Sequence, residues 1–217
     1  MKVKNKMVIA AVLLAFLTMP VTANALSYGF HQITSNGNAF MASQLRVDVL
    51  DAGAGLVEFR FSNAGPVASS ITDVYFDDGT LLGIASIVEG IGVAFSGPAN
   101  PGDLPGGNSI TPSFETTKGF SADSDVPVMA NGVNPGEFVS IYFNLINGKM
   151  YADTIAALAQ GTGEGSLRIG LHVQSIGAAG GSESYVNDPN RVPEPATLLL
   201  LGLGLMGIAG GRKKFST

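Results

Sequence analysis

Four segments of this chain alternate apolar and polar residues with a period of two, and this pattern restricts the fold more than any other feature. Side chains of an extended strand point to opposite faces in turn, so each segment buries one face and hydrates the other. Two sheets that pack their apolar faces together form a β-sandwich. We therefore predict an all-β, antiparallel β-sandwich. The four segments are residues 44–49, 57–62, 139–145 and 167–174.

Two turn signals separate predicted strands. Asp78-Gly79 stands between residues 72–76 and 81–87, and an Asp-Gly pair favours the tight turn of a hairpin. Residues 51–55 contain two glycines and separate the first two alternating segments. The sequence therefore predicts a hairpin at each of these places.

One segment has the periodicity of a helix. Tyr151, Ile155 and Leu158 recur at positions i, i+4 and i+7, and Gly161 provides a C-terminal stop. We expect one short helix here, crossing between the third and fourth alternating segments.

The N-terminus has the three parts of a secretory signal peptide. Three lysines within the first six residues precede an apolar run over residues 7–19. Ala23 and Ala25 supply the small residues that signal peptidase requires, so we predict a signal peptide over residues 1–25 with cleavage after Ala25.

A second apolar run covers residues 196–211 and precedes the basic cluster Arg212, Lys213 and Lys214. Sixteen helical residues span about 24 Å, which makes a short transmembrane helix for a bilayer core of about 30 Å. The positive-inside rule keeps the basic cluster in the cytoplasm. Residues 26–190 then form an ectodomain on the outer side of the inner membrane.

The tail resembles a PEP-CTERM sorting signal. Pro193, Glu194 and Pro195 match the tripeptide of that family, and residues 191–217 also contain its apolar span and basic end. The resemblance implies export by a Gram-negative bacterium and processing by exosortase, a membrane enzyme similar to transpeptidases. It also implies association with exopolysaccharide and biofilm. Residues 167–176 and the segment that follows, to Val186, resemble the final strand pair of domains found before such tails.

Charge restricts the partners of the ectodomain. Residues 26–192 contain six basic and sixteen acidic residues, a formal charge of −10. Such a domain repels phosphate backbones, so we expect no nucleic-acid binding. The acidic residues either keep the domain soluble or bind cations. The chain has no cysteine, which excludes disulfides and thiolate metal sites.

The sequence gives no support for a cofactor-binding or catalytic motif. Gly202, Gly204 and Gly207 have G-x-G-x-x-G spacing, but only ten residues follow, too few for the βαβ unit that binds a dinucleotide. The domain has no H-E-x-x-H, G-x-S-x-G or P-loop pattern. We predict no cofactor, no metal and no catalytic residue, and hence no enzyme.

Weaker candidates are two histidines and two acidic turns. His172 falls on the polar face of its strand, where a surface hydrogen-bonding role is expected, and His31 is the second histidine. Asp77-Asp78-Gly79 and Asp123-Ser124-Asp125 resemble calcium loops without the acidic twelfth residue of an EF-hand. Turn chemistry explains the first of these acidic segments better, because Asp and Gly favour tight turns.

Residues 97–136 contain six prolines and show no regular periodicity. Ordered domains seldom keep so long a loop without a use for it, so this loop is either a binding surface or a mobile cover of the sheet edge.

Three functions remain open for the ectodomain. The leading hypothesis is a non-catalytic cell-surface or extracellular-matrix protein sorted by exosortase. The alternatives are a glycan-binding module and a hydrolase that uses a pair of distant carboxylates. Aromatic residues make up 8% of the chain and tryptophan is absent, which weakens both sugar-dependent alternatives.

Overall fold

The computed structural model describes residues 25–37 and 41–191, and ten strands and two α-helices form in this part of the chain. The helices are α1 (Val128–Asn131) and α2 (Tyr151–Gln160). The strands are β1 (Leu26–Gln32), β2 (Leu45–Gly53), β3 (Leu56–Asn63), β4 (Ser70–Asp77), β5 (Leu81–Glu89), β6 (Phe95–Ser96), β7 (Ser121–Ser124), β8 (Phe138–Leu145), β9 (Arg168–Ile176) and β10 (Gly181–Arg191).

Hydrogen bonds join all ten strands into one antiparallel sheet, in the order β5-β8-β3-β2-β1-β10-β9-β4-β7-β6. The all-β, antiparallel prediction is confirmed, but two separate sheets do not form, because β1 pairs with both β2 and β10 and bridges them. We call the strands from β5 to β1 the first half of the sheet and those from β10 to β6 the second half. The edge strands β5 and β6 are joined by residues 90–94 alone, so the sheet is nearly closed.

The sheet folds back on itself around one apolar core. Phe59 of β3 and Phe143 of β8 belong to the first half, and Phe76 of β4 belongs to the second. The ring of Phe76 lies 5.1 Å from that of Phe59 and 4.6 Å from that of Phe143, in edge-on geometry. All three side chains are fully buried, and burial of each stabilises the fold by about 1.5–3 kcal/mol. The two halves therefore pack face to face, as the apolar alternation requires.

The two predicted hairpins have different outcomes. Strands β2 and β3 pair across residues 51–55, with Val47 opposite Phe61, as predicted. Strands β4 and β5 do not pair with each other, because β4 lies between β9 and β7 and β5 pairs with β8. Asp78 still makes a local turn, since its carboxylate accepts the N–H groups of Thr80 and Leu81 at 2.6 and 2.8 Å. The Asp-Gly pair thus sets the bend but not the partner of the strand that follows it.

The predicted helix is confirmed as α2. Leu158 is fully buried, and Gly161 follows the helix with a φ of +74°, a conformation that favours glycine. The hydroxyl of Tyr151 donates to the carbonyl of Val49 at 3.0 Å, which ties the helix to β2. The one-turn helix α1 was not predicted.

The two chain ends of the described domain lie side by side. Strand β1 begins at Leu26 and β10 ends at Arg191, and Tyr28 stands opposite Arg191 in their ladder. Apart from Ala25, the predicted signal peptide lies outside the described residues, and so does the tail after Arg191. Within residues 25–37 and 41–191, no helix has the length and apolarity to cross a membrane. The predicted transmembrane segment 196–211 lies outside that range.

Candidate functional site

The long loop predicted over residues 97–136 is partly regular. Strand β7 and helix α1 fall inside it, and β7 extends the sheet by pairing with β4 and β6. Short polar strands of this kind, Ser-Ala-Asp-Ser here, give too little alternation for a sequence pattern to reveal them. The part that precedes β7, residues 97–120, is named the covering loop below, because it lies over the outer face of the second half of the sheet.

The covering loop packs on the sheet through a second, smaller apolar cluster. Leu104 and Phe114 of the loop are 4% and 5% exposed and pack with Tyr75 of β4 and Val186 of β10. Gly170 of β9 makes room for them: a Cβ atom at this position would lie 2.7 Å from Cδ2 of Leu104 and 3.1 Å from Cζ of Phe114. The sequence pattern placed Gly170 on the polar face of its strand, and the structure shows that this face is covered.

One end of the covering loop is held by polar groups of β4 and β7. The N–H of Ala99 donates to Oγ of Ser121 at 3.1 Å, and the hydroxyl of Tyr75 donates to the carbonyl of Pro101 at 3.1 Å. Burial raises the pKa of Tyr75 well above its usual range, and the nearby carboxylates of Asp73 and Asp123 raise it further. Burial also raises the pKa of Asp123, with a further contribution from Asp73. We call the two hydrogen bonds that Ser121 and Tyr75 make to the loop the first anchor.

The other end of the covering loop is held by Arg168 of β9. Its guanidinium Nη1 donates to the carbonyl of Pro112 at 2.9 Å, and Nη2 donates to the carbonyl of Ser113. Nε donates to the Asp77 carboxylate at 3.0 Å, and Nη2 also contacts that carboxylate, so the buried charge is paired. The guanidinium carbon also lies 5.3 Å from the centre of the Phe114 ring. This second anchor and the first hold the loop at both ends, which favours a preformed surface over a mobile cover.

A cavity of about 720 Å³ opens to solvent between the two anchors. Two carboxylates, Asp103 and Glu115, line it together with the amide of Asn108, and Leu104 and Phe114 form part of its floor. Among the described residues, no lysine, arginine or histidine lines this cavity. Thr116 also lines it, and its buried hydroxyl has no hydrogen-bond partner in the described part of the chain.

The two histidines bind different carboxylates. Nδ1 of His172 lies 3.0 Å from Oδ2 of Asp73, and these side chains are only 14% and 3% exposed. The hydrogen-bonding role predicted for His172 is confirmed, but its predicted surface position is wrong, because the side chain is largely buried. Nδ1 of His31 lies 2.9 Å from Oδ1 of Asp188, where both side chains are about half exposed. Histidines paired in this way orient neighbouring strands.

The acidic turns have structural roles. Asp77 pairs with Arg168, Asp78 caps its turn, and Asp125 accepts the hydroxyl of Ser96 at 2.7 Å. In residues 25–37 and 41–191, no group of three or more His, Asp or Glu side chains is arranged to hold a metal ion. The contacts of these aspartates thus follow from turn formation and ion pairing.

Two carboxylate pairs bear on the hydrolase hypothesis. Asp73 stands opposite Asp123 across β4 and β7, but Asp73 is buried. Asp103 and Glu115 share the open cavity and are exposed, and no hydrogen bond or ion pair orients either carboxylate within the described residues. Catalytic carboxylates are normally held in place by neighbouring side chains. Within the described residues, Asp103 and Glu115 therefore lack this kind of positioning.

The predicted processing residues fall at or beyond the ends of the described domain. Ala25 directly precedes β1, and Ala23 lies outside the described residues. The tripeptide Pro193, Glu194 and Pro195 and the cluster Arg212, Lys213 and Lys214 also lie outside them. Sequence reasoning missed both anchors of the covering loop, since nothing in the alternation of β9 distinguishes a buried arginine from a hydrated one.

Comparison with known proteins identifies the tail. The family of the PEP-CTERM protein-sorting motif matches residues 191–214, which include the Pro-Glu-Pro tripeptide, the apolar run and the basic cluster. The resemblance inferred from the sequence is confirmed for this segment. No curated protein and no solved structure matches the chain significantly.

Proposed function

Because residues 191–214 form a PEP-CTERM sorting motif, which marks an exported protein targeted to exosortase, we propose that this chain is a non-catalytic protein of the cell surface or extracellular matrix. The observation that carries the proposal is the junction between domain and tail. Strand β10 ends at Arg191, the residue at which the sorting motif begins. A folded β domain is thus joined directly to its sorting signal.

The processing route follows from the two chain ends. Signal peptidase cleaves after Ala25 and releases the N-terminus at Leu26, where β1 begins. The run over residues 196–211 then holds the protein in the inner membrane, with Arg212, Lys213 and Lys214 in the cytoplasm. Exosortase reads the tripeptide at Pro193, Glu194 and Pro195 and processes this membrane-anchored intermediate.

A non-catalytic role agrees with the polar groups of the domain. The histidine–carboxylate pair of His172 and Asp73 is covered, and the carboxylates of Asp103 and Glu115 are exposed without an orienting partner. The protein then contributes a stable displayed surface, which we propose to be associated with exopolysaccharide in a biofilm.

The test of sorting is the substitution Glu194→Ala, which removes the one charge of the tripeptide and leaves the apolar run intact. In a host that carries exosortase, processing is expected to fail, and protein with its Arg212–Lys214 end is expected to accumulate in the membrane. The measurement is the intact mass of protein from membrane and external fractions. Glu164→Ala, a substitution of an exposed carboxylate in the domain, is the matched control and should leave processing unchanged.

The proposal fails if the unaltered protein keeps its last twenty or so residues in every fraction of such a host. The tail would then be a plain membrane anchor, since hydrophobic burial of residues 198–201 does not depend on Glu194.

One observation favours a second candidate function, that of a glycan-binding module. The cavity between the two anchors is open, lined by both polar and apolar groups, and held by a loop that is fixed at both ends. Pockets of about 300–1,000 Å³ with a few convergent polar groups are the usual size for small-molecule sites.

A further inference from the structure

We propose that the cavity between the two anchors binds a hydroxyl-rich chain that carries positive charge, that is, an amino-sugar oligosaccharide with protonated amines. The inference rests on the proposed glycan-binding role and names its ligand class. It does not depend on how the protein is sorted.

The site is preformed. Tyr75 fixes one end of the covering loop, Arg168 fixes the other, and the floor of Leu104 and Phe114 is seated on Gly170. A loop already held in its binding conformation does not lose conformational entropy when a ligand arrives. Weak polar contacts are therefore enough to give measurable affinity.

The charge of the cavity selects cations. Asp103 and Glu115 contribute two negative charges, and among the described residues no basic side chain lines the wall to offset them. The guanidinium of Arg168 is buried behind the floor, where Asp77 and two backbone carbonyls already occupy its donors. The net charge of −10 over residues 26–192 adds a field that attracts cationic chains and repels anionic ones.

The lining of the cavity combines apolar and polar groups, which suits a sugar, because a sugar ring presents C–H groups on its faces and hydroxyl groups at its edge. Pro101 and Pro105 supply apolar surface, and Leu104 and Phe114 are only 4% and 5% exposed. The side-chain amide of Asn108, an exposed residue, both donates and accepts hydrogen bonds and is suited to sugar hydroxyls.

The test uses the purified full-length protein in detergent and titration calorimetry with three oligosaccharides of equal length. These are a glucosamine oligomer, its fully N-acetylated form and an oligogalacturonate, measured below the pKa of the sugar amines. We expect binding of the glucosamine oligomer, at least tenfold weaker binding of the N-acetylated one and none of the anionic one. Affinity for the glucosamine oligomer should fall as salt is added.

Variants locate the site. Asp103→Asn and Glu115→Gln should each weaken binding about threefold to tenfold, and the pair together should abolish it, while the thermal midpoint stays unchanged. Glu164→Gln removes an exposed carboxylate outside the cavity and is the matched control for net charge. Asn108→Tyr, which narrows the cavity without changing its charge, should also abolish binding.

Three results would overturn the proposal. Equal binding of the N-acetylated oligomer would show that the positive charge of the sugar amines is not needed for binding. An effect of Glu164→Gln as large as that of Asp103→Asn would mean that attraction is diffuse rather than local. Absence of binding by all three oligosaccharides would show that the cavity is not a binding site for this class of ligand. It would leave the proposed sorting function untouched, because sorting is tested by a separate measurement, the intact mass of the protein.

Discussion

The outer faces of the two halves of the sheet come from the same alternating sequence pattern but end in different surroundings. On the first half, Arg60 of β3 and Asn144 of β8 are exposed to solvent. On the second half, Arg168 and Gly170 of β9 are buried beneath the covering loop. Period-two alternation tells which residues point away from the core, and whether that second face meets water depends on a segment far away in the chain.

A charged side chain on the covered face needs buried partners, whereas one on the open face is hydrated. Arg60 lies in solvent with its guanidinium carbon 3.7 Å from the centre of the Phe138 ring, a favourable contact that needs no further partner. The charge of Arg168 is compensated by Asp77 and by two backbone carbonyls. A buried charge without such partners would be strongly destabilising. The comparison thus predicts that equivalent substitutions on the two faces have unequal effects.

The largest contrast is expected between Arg168→Ala and Arg60→Ala. Removal of Arg168 takes away the donor to the carbonyls of Pro112 and Ser113, and it leaves the carboxylate of Asp77 with the N–H of Glu115, at 3.3 Å, but without a charged partner. We expect a loss of about 3–5 kcal/mol in the free energy of unfolding. Removal of Arg60 from the open face should cost about 0–1 kcal/mol. Urea unfolding of both variants measures the difference.

A double variant separates the ion pair from the loop contacts. Adding Asp77→Asn to Arg168→Ala removes the unpaired charge, so part of the lost stability should return. Equal losses for Arg168→Ala and Arg60→Ala would contradict the view that the covering loop buries one face and leaves the other open.

Much of the fold was predictable because its evidence is local. Alternation identified β2, β3, β8 and β9, and helical spacing identified α2. Strand β1 also alternates, with Leu26, Tyr28 and Phe30 apolar, but it directly follows the predicted cleavage site and was missed. The partner of β4 could not be predicted, since the Asp-Gly turn sets a local bend while closure of the whole sheet sets strand order.

The sorting motif and the cavity differ in the same way. The motif at residues 191–214 is defined by the order of its residues, so Pro193, Glu194 and Pro195 are recognisable without a structure. The cavity arises from a loop without periodicity and from Arg168, which lies 56 residues from Pro112 in the chain. Only the folded chain brings those groups together, so the sequence indicated the loop but not its cavity.

The second contrast concerns volume rather than charge. In Gly170→Val, the new side chain meets Leu104 and Phe114, and overpacking of this kind costs about 1–3 kcal/mol. The change Asn144→Val, on the open face of β8, should alter stability by less than about 0.5 kcal/mol. Limited proteolysis of the covering loop should be faster in the Gly170 variant, because its floor is displaced.

Leu104→Ala supplies the control for Gly170→Val. Shortening Leu104 frees the space that the valine needs, so the double variant should be more stable than the sum of the two single changes predicts. Strict additivity would show that Gly170 is required by the strand itself and not by the loop above it.

The smallest contrast, and the most specific, lies between Tyr75 under the loop and Tyr142 on the open face. The hydroxyl of Tyr75 donates to Pro101 and is buried, so its pKa in the folded protein lies far above the value of about 10 for an unfolded chain. Above pH 10 the unfolded chain therefore releases a proton that the folded protein keeps, and the free energy of unfolding falls as pH rises. Burial raises the pKa of Tyr185 to about 12, which adds to the same loss.

Tyr75→Phe should cost about 1 kcal/mol at neutral pH through the lost hydrogen bond, yet it should make the decline above pH 10 shallower, because one of the responsible protons is gone. Burial also raises the pKa of Tyr142, but this residue is only half-buried. Tyr142→Phe should therefore change both the stability at neutral pH and its decline above pH 10 less than Tyr75→Phe does. Unfolding free energies measured on both sides of pH 10, with phenolate absorbance to follow ionisation, distinguish these outcomes, and an unchanged alkaline decline in Tyr75→Phe would mean that the first anchor does not seal this hydroxyl from solvent.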